Sequence, residues 1–174
     1  GVADIAQTVQ AIGGRMNAYT SFDRTMFFID APSAGWRTCV EVLADAMFNA
    51  TLPDEEYVKE QEVIRREFAM GFDDPNRMSF QAMFEQAFMV HPMRQPVIGH
   101  LDVFNRLTRH DVLEYYRARY VPNNLTFVVV GDVRFDEVRK RLGELVKDEK
   151  RQALPDIFVP GEPRQLGRRE HHIP

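Results

Sequence analysis

Two glutamates are the residues of this sequence best spaced to act together. Glu60 and Glu67 bound the stretch Glu60-Gln-Glu-Val-Ile-Arg-Arg-Glu67. Seven residues turn an α-helix by about 700°, so the two side chains fall within roughly 20° of each other on one face, and Glu62 lies off that face. Two carboxylates on one face suit metal ligation or acid–base chemistry. An acidic stripe that pairs with the neighbouring arginines and lysine fits the same spacing, and spacing alone favours that simpler interpretation.

The histidines do not form a recognisable metal motif. They are His91, His100, His110, His171 and His172. Neither H-E-x-x-H nor H-x-x-E-H occurs, and no two histidines lie four residues apart on a predicted helix. His171 and His172 fall in a predicted strand, where adjacent side chains point to opposite faces. His91, which precedes Pro92, is predicted to anchor its loop by hydrogen bonding rather than to bind a metal.

The sequence gives little support for a catalytic nucleophile or for a phosphate-binding loop. Cys39 is the single cysteine, which excludes a disulfide framework within the chain, and its place between apolar helical positions predicts a small packing residue. The sequence has no G-x-S-x-G elbow and no phosphate loop. Gly13-Gly14 is only a pair and does not satisfy a dinucleotide fingerprint.

The composition is that of an ordinary globular protein. Of the 174 residues, 44% are hydrophobic and 28% are charged, and 22 basic against 26 acidic residues leave a net charge of −4. A mildly acidic chain lacks the dense positive face that binds phosphates, so we expect no nucleic-acid partner. The longest uncharged apolar run, Leu125–Val130, is the length of a strand, so we expect no membrane partner. We expect a soluble protein of the cytoplasm or the periplasm.

The elements that position these residues form an α+β pattern. Gly13-Gly14 is predicted to end a first helix, and Arg15–Tyr19 with Thr25–Ile29 predict a hairpin. A helix with Ser33 as its N-cap follows, and then a helix from Asp54 to Met70 that carries both glutamates.

Further helices follow in the second half of the chain. They are predicted around Phe84, after an N-cap at Thr108, and from Val138 to about Lys150. Leu125–Val130 predicts a buried strand and Gln165–Ile173 the start of another. Together the pattern predicts an antiparallel sheet packed with helices, as a domain over residues 1–150, and a linker with the first strand of a following segment over 151–174.

Several segments, in this order, resemble the insulinase/pitrilysin family of zinc peptidases, the inverzincins, which include the mitochondrial processing peptidase. The matching segments are Ile12-Gly-Gly-Arg-Met-Asn-Ala-Tyr-Thr20, Glu60-Gln-Glu-Val-Ile-Arg-Arg-Glu67, His91-Pro92 with Pro96-Val-Ile-Gly99, Tyr120-Val-Pro-Asn-Asn124, Val128-Val-Val-Gly-Asp132 and 161–169. Each piece alone is weak, and the ordered set is specific. The resemblance implies that the chain is part of the first half-domain of such a peptidase.

The resemblance also implies roles for individual residues. Glu67 matches the glutamate that binds zinc downstream of the family's H-x-x-E-H, and Glu60 matches an acidic residue that orients the metal site from behind. The metal would activate a water for attack on a peptide bond. Asn17, Ala18 and Tyr19 match the edge strand on which these peptidases pair an extended peptide substrate.

The chain departs from the family pattern at one decisive point. H-x-x-E-H is absent, and from the family order we expect it upstream of Gly1. The general base of that motif would lie there too, so no catalytic residue is assigned within these 174 residues. We expect the second half-domain beyond Pro174. One carboxylate does not hold zinc, so we expect this chain alone to bind none and to be inactive.

Three functions remain open at this point. In the first, the parent protein is a zinc metalloendopeptidase that hydrolyses extended peptides. In the second, it is a non-catalytic peptidase-like subunit for assembly or peptide binding. In the third, the chain is an α+β interaction module without a site. An open sheet edge also predicts that the chain forms a homodimer, in addition to contacts with the rest of the same polypeptide.

Overall fold

The structure, a computed structural model, describes residues 2–170 apart from the side chains of residues 2, 3 and 72. Its helices and strands, in chain order, are α1 (Val2–Ala11), β1 (Arg15–Thr20), β2 (Thr25–Asp30), α2 (Trp36–Phe48), α3 (Asp54–Phe72), α4 (Pro75–Ala87), α5 (Leu101–Phe104), α6 (Arg109–Arg119) and α7 (Phe135–Leu145). Helices predominate around one small antiparallel sheet, which confirms the α+β class. No helix among the described residues is long and apolar enough to cross a membrane.

The chain divides into two compact units. The first consists of Gly1–Thr51 and Leu113–Pro155, and the second of Leu52–Val112 and Asp156–Pro174. Glu60 and Glu67 therefore belong to the second unit, and Asn17, Ala18 and Tyr19 to the first.

The start of the first unit follows the sequence prediction closely. Helix α1 ends at Ala11, and Gly13 takes a φ of +71°, a left-handed conformation that glycine adopts without strain. The N–H of Gly14 then donates to the carbonyl of Val9 at 2.9 Å, which closes the helix end. Strands β1 and β2 pair antiparallel in register from Arg15 opposite Asp30 to Thr20 opposite Thr25. The predicted hairpin is confirmed.

The core of the first unit lies around α2. The buried apolar residues of this unit are Val9, Val40, Ala44, Met47, Val121 and Val138. The hydroxyl of Tyr116 donates to the carbonyl of Met47 at 2.9 Å and accepts from the N–H of Ala50 at 3.0 Å, so it satisfies backbone groups at the end of α2. Burial raises the pKa of this phenol, which therefore stays protonated at neutral pH.

Helix α2 begins differently from the prediction. Ser33 lies in a 3₁₀ turn, and Gly35 is the N-cap of α2 without any side-chain hydrogen bond. A Cβ at Gly35 would come within 2.9 Å of Ile12 Cδ1. A larger residue at this position would therefore force the Ile12 side chain to shift. The predicted Ser33 cap is wrong.

The predicted buried strand Leu125–Val130 is also wrong. The segment has no strand partner among the described residues, and Val128 and Val130 are 73% and 91% exposed. A β-branched run favours extended backbone, but a strand forms only where a neighbour accepts its hydrogen bonds. Residues 165–170 of the second predicted strand are likewise irregular, and the remainder, residues 171–173, lies outside the described residues.

The second unit contains the long helix α3 and the helices around it. Acidic residues in its first turn favour the start of α3, as predicted. The carboxylate of Asp74 caps α4 by accepting from the N–H groups of Asn76 and Arg77. Thr108 and Asp111 cap α6 reciprocally, since each side chain accepts from the backbone N–H of the other. The predicted Thr108 cap is confirmed.

Candidate functional site

Helix α3 presents Glu60 and Glu67 to solvent. Both side chains are exposed, and across the described part of the chain neither makes a hydrogen bond or an ion pair. Two basic neighbours on the helix form ion pairs with other glutamates. Lys59 Nζ bonds Glu56 at 2.8 Å, and the Arg65 guanidinium bonds Glu62. Glu60 and Glu67 thus lie on a solvent-exposed face, as the acidic-stripe interpretation expects, but Lys59 and Arg65 do not pair with them.

Arg65 is held on the other side of α3 by several contacts. Its Nε donates to Asn105 Oδ1 at 3.0 Å, and its guanidinium carbon lies 6.0 Å from the centre of the Phe104 ring. Phe68, the residue after Glu67, is only 6% exposed and packs its ring 5.7 Å from that of Phe104. Helix α3 thus packs one side against α5 and leaves the two glutamates outward.

Glu67 by itself does not make a metal site. Between residues 2 and 170, no group of three His, Cys, Asp or Glu side chains lies close enough to hold a metal ion. Zinc in proteins takes three or four protein ligands, of which Glu67 could supply one oxygen. The residues present therefore do not fit a complete zinc centre.

The edge strand β1 carries the three residues predicted to meet a peptide. Asn17, Ala18 and Tyr19 are all exposed, and they pair with Phe28, Phe27 and Met26 of β2. The N–H of Ala18 donates to the side-chain oxygen of Asn17 at 2.8 Å. An incoming peptide that pairs with this amide must first displace the Asn17 side chain.

Two other sequence predictions concern His91 and Cys39. His91 Nδ1 accepts from the N–H of Met93 at 3.2 Å, so His91 anchors its own loop, as predicted. Cys39 is half-buried, and burial raises the pKa of its thiol, which keeps it protonated and unreactive.

A pair of charged residues in the C-terminal segment escaped the sequence analysis. The Glu162 carboxylate accepts from the backbone N–H groups of Met89, Val90 and His91, at 2.5, 3.0 and 3.0 Å. Partial burial acts to raise the pKa of Glu162, but these three bonds and the charge of Arg169 lower it overall, so the carboxyl is ionised at neutral pH. The only local signal was a charged residue between glycine and proline.

The chain matches two family models over nearly its whole length. The model described as insulinase (peptidase family M16) matches residues 2–100, and the model described as the peptidase M16 inactive domain matches residues 106–174. The chain belongs to the insulinase family, peptidase family M16. The resemblance drawn from the ordered segments is thereby confirmed.

Relatives from this family are described as zinc proteases. The zinc protease PqqE of Helicobacter pylori is 32% identical over 92% of this chain, which covers 37% of that protein. An uncharacterised zinc protease of Mycobacterium leprae is 29% identical over 87% of this chain and 35% of its own length. The chain thus spans little more than a third of these relatives.

Solved structures of the M16 family share the fold. A protease from Helicobacter pylori superposes with a TM-score of 0.84 at 28% identity, over 91% of this chain and 39% of that one. The periplasmic protease PqqL from Escherichia coli gives a TM-score of 0.78 at 23% identity, over 90% of this chain and 18% of that one. The α+β arrangement is therefore that of an M16 peptidase domain.

Proposed function

We propose that the whole protein is a zinc metalloendopeptidase that hydrolyses peptide bonds in extended peptides. The observation that carries the proposal is the pair of exposed carboxylates on α3, Glu60 and Glu67, which share one face and form no hydrogen bond or ion pair within the described residues. Membership of the M16 family and relatives described as zinc proteases support it. Zinc lowers the pKa of a bound water toward neutrality, which is the chemistry that such an ion supplies to a hydrolase.

In this proposal the two glutamates have different roles. Glu67 supplies one carboxylate oxygen to the metal. Glu60, two helical turns earlier, does not bind the metal but orients the residues that do. The remaining ligands and the general base come from residues other than those described, because no third ligand lies near Glu67 within residues 2–170. The chain alone is accordingly proposed to bind no zinc and to have no activity.

The proposed peptide-binding element is β1. A peptide in extended conformation adds to the free edge of the strand segment that contains Asn17, Ala18 and Tyr19 through backbone hydrogen bonds, and pockets on both sides select its side chains. The exposure of all three residues supports this role. An extended backbone is required, so unfolded or short peptides are the proposed substrate class, and folded proteins are poor substrates.

The test uses the whole protein and an internally quenched, unstructured peptide. We expect cleavage at an internal bond, loss of cleavage after treatment with 1,10-phenanthroline, and recovery on adding back zinc. Removal of zinc also removes the water that the metal activates, so we expect the rate of cleavage to fall by at least about 100-fold. The non-chelating isomer 1,7-phenanthroline is the control. Cleavage that survives complete zinc removal would contradict the proposal.

The second candidate is a non-catalytic peptidase-like subunit that binds peptides or assembles with a catalytic partner. The match of residues 106–174 to a model described as an inactive domain favours it. The same assay separates the two candidates, since a non-catalytic subunit binds the peptide on β1 but leaves it intact with or without zinc.

Three further expectations remain proposals. The chain is proposed to consist of a partial peptidase domain over residues 1–150 and a linker with the start of a following segment over 151–174. It is proposed to contact the rest of its own polypeptide and to form a homodimer through its sheet edge. Its compartment is proposed to be the cytoplasm or the periplasm.

A further inference from the structure

The C-terminal segment 156–170 is held to the second unit by two charged side chains. The Glu162 carboxylate accepts from the three consecutive N–H groups of residues 89–91, which follow Phe88, the C-cap of α4. Arg169 Nη1 donates to the carbonyls of Gln86 and Ala87, at 2.6 and 3.1 Å, in the last turn of the same helix. At the end of α4, a carboxylate thus accepts from the amides that follow the helix, and a guanidinium donates to the last carbonyls of the helix.

Both contacts match what a helix end leaves unsatisfied. The last carbonyls of an α-helix have no partner within the helix, and the partial negative charge there favours a cation. Three N–H groups that converge on one point favour an ionised carboxylate over a neutral group, because hydrogen bonds to a charged acceptor are the stronger ones. Glu162 and Arg169 lie seven residues apart, so one short stretch of chain supplies both charges.

Apolar burial contributes little to holding this segment. Ile157, Phe158 and Leu166 are 72%, 85% and 93% exposed, and residues 156–170 contain no helix or strand. A segment without apolar anchors or a backbone ladder opens easily unless specific contacts hold it. The charged contacts at Glu162 and Arg169 are therefore the principal candidates for what docks it.

We propose that the amides of Met89, Val90 and His91 form a carboxylate-binding site that the chain's own Glu162 fills, and that this contact, together with Arg169, latches segment 156–170 onto the end of α4. The latch fixes the path of segment 156–170 along the second unit, and its opening frees the segment. The ligand class of the site is a carboxylate. In the native protein that carboxylate is supplied in cis.

The test is chemical rescue in the full-length protein. The variant Glu162→Ala empties the site without adding a new group, and its amide hydrogen exchange at residues 89–91 is expected to rise at least about ten-fold. Tryptic cleavage after the exposed Arg164 and Arg168 is expected to accelerate in parallel. Sodium acetate is then expected to restore slow exchange at residues 89–91, because acetate returns the missing carboxylate, whereas sodium chloride at equal concentration is not.

The controls separate the latch from general destabilisation. Glu170→Ala removes an exposed glutamate of the same segment whose partner is Arg168, and it is expected to leave exchange at residues 89–91 unchanged. Exchange of the amide of Phe68, a buried residue of α3 in the same unit, reports on opening of the whole unit and is expected to stay constant. Equal effects of Glu162→Ala and Glu170→Ala would overturn the latch. Failure of acetate to slow exchange in Glu162→Ala would overturn the carboxylate site.

These readouts need no peptidase activity. A protein that proves to be catalytically inactive can still show the latch, and an active peptidase can lack it. The inference therefore stands or falls separately from the proposed function.

Discussion

Replacing Glu67 by glutamine in the whole protein is expected to remove zinc and abolish peptide hydrolysis. The substitution keeps the size of the side chain and its place on α3 but removes the negative charge that makes a carboxylate oxygen a strong ligand for zinc. Changing even a residue that only supports a metal ligand costs 10–100-fold in affinity or activity, so loss of the ligand itself should exceed about 100-fold. Zinc per protein, measured by atomic absorption after dialysis, and cleavage of the quenched peptide are the two measurements.

Glu62→Gln is the matched control. Glu62 lies on the same helix and is also exposed, but its carboxylate pairs with Arg65 and is off the face shared by Glu60 and Glu67. The Glu62→Gln variant is expected to keep its zinc and its activity. The zinc content and activity of Glu60→Gln are expected to lie between those of Glu62→Gln and Glu67→Gln. Zinc content in Glu67→Gln equal to that of the unmodified protein would remove Glu67 from the list of ligands.

Replacing Phe68 by alanine is expected to destabilise the second unit by about 3–5 kcal/mol. The ring is 6% exposed and packs against Phe104, so its removal loses buried apolar surface and leaves a void. Phe68 also lines an existing cavity of about 330 Å³ together with Ile98 and Leu101, and that space would merge with the new void.

The measurement is urea unfolding followed by far-ultraviolet circular dichroism. Trp36, the single tryptophan, lies in the first unit and does not report on Phe68. The control is Phe80→Ala, because Phe80 is 55% exposed although its ring lies 4.7 Å from that of Phe84. That variant is expected to lose only about 1 kcal/mol. Equal losses in the two variants would show that Phe68 is not a principal core residue of its unit.

The parts of the fold that were predicted correctly are those with local causes. Gly13 takes a positive φ that few other residues tolerate, so the end of α1 was visible in the sequence. The reciprocal cap between Thr108 and Asp111 depends on residues three apart, and Thr108 was recognised as its N-cap for the same reason. Both signals need no information about distant partners.

Two of the errors concern features that depend on distant partners. The apolar run Leu125–Val130 has the composition of a strand, but composition does not tell whether another strand lies beside it. Glu162 meets amides more than 70 residues earlier in the chain, and no periodicity links the two. The Ser33 cap was wrong because Ser33 belongs to a 3₁₀ turn that precedes α2, and the sequence pattern does not separate that turn from the helix.

The candidate site was predictable in part. The spacing of Glu60 and Glu67 placed them on one face from helical geometry alone. That Lys59 and Arg65 would pair instead with Glu56 and Glu62 was not predictable, because several acidic side chains lie within reach of each cation on such a helix. Assignment of a metal role to Glu67 came from the family resemblance and not from spacing.

If β1 binds a peptide, as proposed above, the contact between Asn17 and Ala18 affects which peptides it prefers. Because the Asn17 side chain already satisfies the Ala18 amide, a docking backbone replaces one hydrogen bond with another and gains little free energy at that position. Generic β-rich chains, which offer only backbone groups, are then weak competitors. Under the proposed function, most of the discrimination at this position would then come from the side chains of the bound peptide.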